Sequence, residues 1–378
     1  MQNADFGTQR WSAVKGGTAS ITQKAVEKIK TKPTYNKRVV SISEKHEPND
    51  PKHKKTKMQV GIVDGSIADQ NKLPANDTRE YDMVINTTTL GALRQVDLDQ
   101  AELDWSQRTA LRALGGGSAT KVAIKFKEAW WITKCGINKA GVGKTDGPLQ
   151  WCVYPSYYIR PGQGDNLDDD VIYGETESAV LLCSYTWTQE ALRMGALVHP
   201  DSPVGEDILK DLMLRELVKL HPVMSYDTLK DLYIDHHAYD WYGDPNTCGA
   251  TALFYPGQYT GLYTHLLRPA GHGRLIFAGE AMSIHHGWIL GALESAYRAV
   301  YQLLTKYNMN DEKMALLNKF GTIPDLEFHG VAGGEGYTDS VPAMQVKLGS
   351  LSNSDKPSPD ALRDPLGFLH DGTRKAVY

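Results

Sequence analysis

One segment near the C-terminal end of the sequence restricts the fold more than any other, because a strand, a turn and a helix follow one another directly. The apolar residues 275–278 predict a buried strand, and Gly279 and Glu280 end it. A helix with small residues along one face is predicted over residues 288–307. An acidic turn beside a helix N-terminus favours the binding of anions and dipoles. The segment therefore predicts an α/β fold with a ligand site at this corner.

The composition is that of an ordinary soluble globular protein and excludes several classes of function. The 378 residues are enough for more than one domain, and 41% of them are hydrophobic and 23% charged. The net charge of −4 argues against a nucleic-acid partner. No apolar run reaches the roughly 20 residues of a membrane span. The N-terminal residues lack the pattern of a signal peptide, and the compartment, cytoplasmic or secreted, stays open.

The cysteine and histidine patterns argue against a metal site. The four cysteines are Cys135, Cys152, Cys183 and Cys248. They lie far apart without a C-x-x-C pair, which excludes a zinc finger and argues against a disulfide framework. His285 and His286 are adjacent, and adjacent side chains seldom share one ion. No metal is therefore predicted.

Short apolar runs and helical spacing predict a mixture of helices and strands. Strands are predicted over residues 38–43, 58–64, 81–87, 121–126, 149–154, 178–187, 229–235 and 275–278. Helices are predicted after the Gly16-Gly17 turn and over residues 106–114, 188–196, 205–221 and 288–307. The charged segments 44–57 and 65–80 are interpreted as solvated hairpin insertions. Residues 349–362 have the composition of a disordered tail.

Two glycine-rich patterns bear on nucleotide binding. Residues 141–145, GVGKT, resemble the end of a phosphate-binding loop, but Asn138 stands where that motif requires its first glycine. The segment is therefore interpreted as a loop tip. No G-x-G-x-x-G pattern follows an early strand, so the sequence lacks the N-terminal motif that a dinucleotide-binding fold requires.

Six motifs occur in an order that points to one family. They are Trp11 with Gly16-Gly17-Thr18, RVVSI at 38–42, YDMVI at 81–85, TKVAIKF at 120–126, the aromatic loop 239–258, and Gly279-Glu280 with Gly287-Trp288-Ile289. In this order they resemble the C-terminal part of the flavin-containing amine oxidases, particularly the fungal L-amino-acid oxidases. The resemblance covers residues 11–307. Thr89 departs from it, because the family usually has proline there.

The resemblance implies an FAD-binding domain remnant and a mixed-sheet substrate-binding domain. Residues 1–115 and 269–310 are expected to belong to the FAD-binding domain, and residues 116–268 to the substrate-binding domain. Residues 311–378 are expected to be a partly disordered C-terminal extension.

The resemblance also implies the cofactor-binding residues. The backbone of Val39 is expected to hold the adenine, and Glu280 to accept hydrogen bonds from ribityl hydroxyls or nearby water. The helix start is expected to face the flavin pyrimidine with backbone N–H groups. Its residues are Gly287, Trp288, Ile289, Leu290, Gly291 and Ala292. Cys248 lies one position from the expected thioether position, so non-covalent FAD is predicted.

Catalytic and substrate-binding roles follow from the same resemblance. Lys121 is expected near flavin N5, where it assists the reaction of reduced flavin with oxygen. Tyr154 is expected to bind the substrate carboxylate. The Gly287 carbonyl is expected to accept a hydrogen bond from the substrate amine, and Trp288 to lie beside the α-carbon.

The expected activity is FAD-dependent oxidation of an L-amino acid by oxygen to a 2-oxo acid, ammonia and hydrogen peroxide. A primary amine or polyamine oxidase is the alternative, since the carboxylate-binding arginine of the family is missing. An inactive fragment, or a subunit that needs an N-terminal partner, is the alternative of another class. A homodimer is implied by the resemblance.

Overall fold

The computed structural model describes residues 14, 17–46, 56–64, 77–138, 140–155, 159–160, 171–172, 177–198, 203–321 and 323. Trp11, Gly16 and the tail segment 349–362 lie outside the described residues. None of the helices in the described part is both long and apolar enough to cross a membrane.

The described residues form helices and strands throughout the chain. The helices are α1 (Ala19–Lys28), α2 (Leu90–Leu93), α3 (Trp105–Ala113), α4 (Trp130–Thr133), α5 (Thr188–Gly195), α6 (Pro203–Leu220), α7 (Tyr226–Leu232), α8 (Gln258–Gly261), α9 (Ile289–Lys306) and α10 (Asn310–Phe320). The strands are β1 (Lys37–Lys45), β2 (Lys57–Asp64), β3 (Asp77–Tyr81), β4 (Val84–Asn86), β5 (Gly116–Gly117), β6 (Ala119–Phe126), β7 (Gly141–Lys144), β8 (Trp151–Tyr154), β9 (Ile159–Arg160), β10 (Val171–Ile172), β11 (Ala179–Trp187), β12 (Tyr233–Asp240), β13 (Thr251–Ala252) and β14 (Leu275–Phe277).

The predicted mixture of helices and strands is confirmed, and most elements begin and end within a few residues of the expected positions. Helix α3 shows why. Asp104 accepts a hydrogen bond from the backbone N–H of Gln107 at 2.7 Å, and the Gln107 side chain accepts one from the N–H of Asp104 in return. This reciprocal capping fixes the first turn of the helix.

The predicted strand over residues 229–235 is wrong in its first half. The chain forms helix α7 up to Leu232, and strand β12 begins at Tyr233. Ser225 caps the helix, because its side chain accepts a hydrogen bond from the N–H of Thr228 at 3.1 Å. The cap and the acidic Asp227 in the first turn favour a helix where the apolar run alone indicated a strand.

Two other predictions differ from the structure. The predicted strand over residues 81–87 is shorter, since β4 begins at Val84, while β3 forms in the charged segment that precedes it. The predicted loop tip at residues 141–145 contains the edge strand β7, which pairs with β8. Helix α10 occupies the start of the expected C-terminal extension, whose partly disordered character stays a prediction.

The chain divides into two compact units. Unit 1 comprises Met1–Tyr35 and Ser118–Asp244, and unit 2 comprises Asn36–Gly117 and Pro245–Tyr378. The domain boundaries expected from the sequence stay a prediction.

Unit 1 contains an antiparallel sheet with the strand order β12-β6-β11-β8-β7. Burial alternates along β6, with Val122 and Ile124 fully buried and Lys121 and Ala123 partly exposed. The buried face packs against helices through side chains that include Trp130. The sheet therefore has one face in the hydrophobic core and one face outside it.

The described residues of unit 2 form three small sheets. Strands β1, β2 and β3 form an antiparallel sheet, β5 pairs with β13, and β4 pairs with β14 in parallel. Leu275, Ile276 and Phe277 of β14 are almost completely buried, which agrees with the predicted buried strand. Helix α9 follows this strand after an eleven-residue connection, 278–288, which contains the predicted ligand corner.

Candidate active site

The turn after β14 is fixed by backbone geometry and one side chain of α9. Gly279 has a φ of +118°, a conformation that favours glycine. Its N–H donates a hydrogen bond to the Ser295 hydroxyl at 2.8 Å. Ser295 is fully buried in the helix, so this bond holds the turn against α9.

Glu280 joins two backbone segments that are far apart in the sequence. Its carboxylate accepts hydrogen bonds from the N–H of Ala252 at 3.1 and 3.2 Å and from the N–H of Gly287. Partial burial raises the pKa of Glu280, and the two backbone donors oppose that shift. Glu280 therefore links β13 to the residue that precedes the start of α9. We call this arrangement the Glu280 clamp.

The start of α9 is apolar and open. Trp288 is 51%, Ile289 52% and Leu290 54% exposed, although the rest of the helix contains many buried side chains. The side chain of Trp288, the residue before the helix, makes no capping hydrogen bond. The first N–H groups of a helix lack intrahelical partners, so this end presents donors and a partial positive charge.

Gly291 permits a close approach of α9 to the preceding turn. A β-carbon at this position would lie 2.2 Å from the carbonyl oxygen of His285 and 2.3 Å from the Ser283 hydroxyl. Neither distance is possible for a real side chain. Ala292 follows in the first turn, and its N–H donates to the carbonyl of Trp288 at 3.4 Å.

The adjacent histidines have separate surroundings. His285 Nδ1 lies 2.6 Å from a carboxylate oxygen of Glu294, which is mostly buried. The ring of His286 packs edge-on against Phe254 and Tyr263, with ring centroids 4.6 and 5.8 Å apart, and burial lowers its pKa. Among the described residues, no group of three His, Cys, Asp or Glu side chains forms a metal site.

Val39 lies in unit 2 on β1, next to an irregularity in the strand. The pairing of β1 with β2 shifts between Val39 and Ser41, and Val39 is 37% exposed. The bulge places an apolar side chain and its backbone at the surface. Its adenine-binding role stays a prediction.

Lys121 belongs to unit 1 and lies among aromatic rings. Its Nζ is 4.5 Å from the centroid of the Tyr185 ring and 5.2 Å from that of Trp241. Burial lowers the pKa of Lys121. A lysine with a lowered pKa is a candidate for a functional site, so the observation supports the predicted catalytic role without testing it.

Tyr154 also belongs to unit 1, but its side chain points into the hydrophobic core. Only 7% of the residue is exposed, and its hydroxyl lies 2.6 Å from His221 Nε2. His221 Nδ1 lies 2.9 Å from the carbonyl oxygen of Leu217, which only accepts hydrogen bonds. Nδ1 therefore carries the proton, and Nε2 accepts a hydrogen bond from Tyr154. The predicted contact with a substrate carboxylate stays a prediction.

Acidification is expected to destabilise the fold through His221. Burial lowers the pKa of His221 below its usual value of about 6.5. Near and below about pH 6.5, the unfolded state therefore binds more protons than the folded state. The free energy of unfolding then falls as the pH decreases. Thermal unfolding between about pH 8 and pH 5 measures the loss. His221→Gln should reduce that dependence and leave the part that the partly buried His286 contributes, whereas His237→Gln on the exposed edge of β12 should leave the profile unchanged. Equal pH profiles for the wild type and His221→Gln would contradict this assignment.

The sequence did not indicate several residues of this arrangement. Ala252 contributes only its backbone N–H, and a two-residue strand gives no pattern. Ser295 was visible only as one of the small residues on the face of α9. The sequence signal near His221 is Pro222, which predicts that the helix ends just before it. His221 lies one residue beyond the end of α6.

The comparison with known proteins identifies the family. Residues 3–304 match the family described as flavin containing amine oxidoreductase, so the chain belongs to that family of flavin-dependent oxidoreductases. The resemblance seen in the sequence is confirmed.

Two relatives and one solved structure illustrate the similarity. L-amino-acid oxidase 4 of Hebeloma cylindrosporum is 42% identical over 60% of this chain and 35% of that protein. L-amino-acid oxidase of Siganus canaliculatus is 32% identical over 63% of this chain and 38% of that protein. The chain therefore spans little more than a third of these relatives. Wild-type putrescine oxidase bound to putrescine has a similar fold, with a TM-score of 0.53 at 15% identity over 76% of this chain and 53% of that chain.

The residues around the start of α9 fit the flavin cofactor of the family. The open helix end offers N–H donors to the polar edge of a flavin, and the exposed Trp288 and Leu290 offer apolar contacts to its rings. The Glu280 carboxylate contacts the same backbone segment, because it accepts a hydrogen bond from the N–H of Gly287. These N–H donors and apolar side chains suit a flavin, because the faces of its rings are apolar and one of its edges gains negative charge on reduction.

Proposed function

We propose that this chain takes part in the FAD-dependent oxidative deamination of an L-amino acid to a 2-oxo acid, ammonia and hydrogen peroxide. The observation that carries the proposal is the open start of α9, held to β13 by the Glu280 clamp. Membership in the flavin amine oxidoreductase family and the names of the two relatives support the same chemistry.

When bound, FAD would supply the acceptor for the hydride that leaves the α-carbon of the substrate. The N–H groups at the start of α9 would stabilise the negative charge that the flavin gains. Glu280 holds Gly287 so that its carbonyl faces the substrate amine, and Trp288 limits where the α-carbon lies. The Val39 backbone holds the adenine.

Lys121 of unit 1 would assist the reaction of reduced flavin with oxygen, and its lowered pKa supports that role. Tyr154 carries no step of the proposal, because its hydroxyl is buried in the core and lies 2.6 Å from His221 Nε2. Non-covalent FAD is part of the proposal, because Cys248 lies one position from the expected thioether position. A homodimer is part of the proposal.

Primary amine or polyamine oxidation is the second candidate. This candidate uses the same flavin site, and only the group attached to the reacting carbon of the substrate differs. Membership in the family is compatible with amino acids and with amines. An inactive fragment, or a subunit that acts only with an N-terminal partner, is the third. The start of α9 and the Glu280 clamp are compatible with this third candidate as well.

The test is to purify the 378-residue chain with and without added FAD and to record its absorbance spectrum. Bands near about 375 and 450 nm that stay with the protein after desalting are expected for bound oxidised flavin. Peroxide release is then measured with a panel of L-amino acids and a panel of amines. Oxidation of amines alone supports the second candidate, and a colourless protein that cannot be reconstituted supports the third.

A further inference from the structure

Unit 2 has a surface cleft of about 370 Å³ that is formed by one side of α3 and the chain that precedes this helix. We call the cleft between residues 94–103 and residues 108–112 the arginine cleft. Its apolar part consists of the nearly buried Leu103 and Leu111 and the half-buried Val96 and Leu98. None of its lining residues belongs to the Glu280 clamp or to the start of α9.

Two arginines of the cleft have no carboxylate partner among the described residues. Arg94 donates from Nε to the carbonyl of Leu111 at 2.9 Å and from Nη2 to the carbonyl of Arg112. A carbonyl accepts hydrogen bonds without carrying a full charge, so these bonds fix the guanidinium group and leave its charge in place. The side chain of Arg112 is exposed and makes no hydrogen bond or ion pair with another described residue.

The negative groups of the cleft balance only part of this charge. Arg108, the third arginine, lies 3.6 Å from the carboxylate of Asp99, whose side chain is 91% exposed. The carboxylate of Asp97 accepts a hydrogen bond from the N–H of Asp99 at 2.9 Å. Three guanidinium groups against two carboxylates leave one excess positive charge in the cleft, although the whole chain has a net charge of −4.

An apolar floor beside guanidinium groups suits a ligand that has an apolar body and one negatively charged end. Guanidinium groups bind carboxylates through paired N–H donors. The excess positive charge repels an ammonium group. A doubly charged phosphate is less suitable than a carboxylate, because Asp97 and Asp99 also line the cleft and repel the second charge.

We propose that the arginine cleft is a binding site for a small carboxylate with an apolar chain. The carboxylate contacts the guanidinium group of Arg112 and the remaining N–H groups of Arg94. The apolar chain of the ligand lies on Val96 and Leu98 and removes their exposed surface from water. This site needs neither flavin nor amine oxidation, so it goes beyond the proposed function and does not depend on it.

Capping of α3 is the alternative role of the arginines, since Arg94 binds carbonyl groups in the last turn of this helix. That role explains Arg94, but it gives no function to the side chain of Arg112. The two roles make different predictions for Arg112. If the arginines only cap the helix, replacing Arg112 changes no ligand affinity. If the cleft binds a carboxylate, the replacement weakens carboxylate binding and leaves the melting temperature close to that of the wild type.

The test uses three probes with the same apolar chain and different charges, which are octanoate, octanol and octylammonium. Their binding to the full chain is measured by ligand-observed nuclear magnetic resonance at about pH 7.5, where the carboxylate and the ammonium group are both charged. We expect octanoate to bind roughly tenfold more tightly than octylammonium, with octanol between them. Saturating FAD should leave octanoate binding unchanged, because the cleft and the proposed flavin site have no lining residue in common.

Variants locate the binding site on the protein. Arg112→Gln should lower the preference for octanoate over octylammonium to about twofold and change the melting temperature by less than about 2 °C. Leu98→Asn should weaken octanoate and octanol alike, because it removes apolar surface from the cleft. Lys24→Gln, which removes an exposed positive charge from α1 in unit 1, is the control and should keep the preference.

Three results would overturn the inference. Equal binding of the three probes would show that the cleft has no preference for a carboxylate. Displacement of octanoate by FAD would assign the binding to the flavin site. An equal loss of preference in Arg112→Gln and Lys24→Gln would show that the charge of the whole chain, and not the cleft, attracts the carboxylate.

Discussion

Replacing Glu280 with alanine is expected to lower the free energy of unfolding by about 2 kcal/mol and to weaken FAD binding at least about tenfold. The substitution removes the acceptor for the N–H groups of Ala252 and Gly287 together. Both donors then need water, and the link between β13 and the start of α9 is lost. Thermal or urea unfolding gives the stability, and a fluorescence titration with FAD gives the affinity.

Glu280→Gln separates the shape of the side chain from its charge. Glutamine keeps one acceptor oxygen, but its amino group faces a backbone N–H in place of the second oxygen, so an intermediate loss is expected. Glu312→Gln on the exposed surface of α10 is the control, and it should change stability by less than about 0.5 kcal/mol. Wild-type stability and FAD affinity in Glu280→Ala would show that the clamp contributes nothing.

The clamp also shows which part of the site the sequence can predict. The apolar run of residues 275–278, the small residues of α9 and the acid between them are local signals, and the structure has the strand and the helix where they indicate. The partner of Glu280 is 28 residues away in the two-residue strand β13. Only the tertiary fold brings them together, so no local pattern contains this contact.

The prediction at residues 229–235 was wrong for a related reason. A short apolar run fits a buried strand and a helix turn equally well, and the local cap at Ser225 decides between them. The register of the five-stranded sheet in unit 1 could not be predicted from single strands either. Each strand shows an alternating pattern, but the register across five strands depends on the irregularity in β11 between Leu182 and Ser184.

Gly291→Ala is expected to destabilise the protein by about 2–3 kcal/mol and to abolish tight FAD binding, although alanine normally favours a helix by about 1 kcal/mol over glycine. The added methyl group would lie 2.2 Å from the carbonyl oxygen of His285. A backbone carbonyl cannot rotate away as a side chain can, so the start of α9 must move. Circular dichroism melting curves and an FAD titration measure the two losses.

Two further variants test whether the close approach of the backbone is the cause. Ser283→Ala combined with Gly291→Ala relieves the second overlap, at 2.3 Å from the Ser283 hydroxyl, but leaves the carbonyl in place, so little recovery is expected. Gly261→Ala, at a helical glycine with no atom within 4 Å of an added β-carbon, should be neutral or slightly stabilising. If the double variant regains wild-type stability, the overlap with serine is the cause. The start of α9 would then tolerate a β-carbon, and the flavin site would not depend on this glycine.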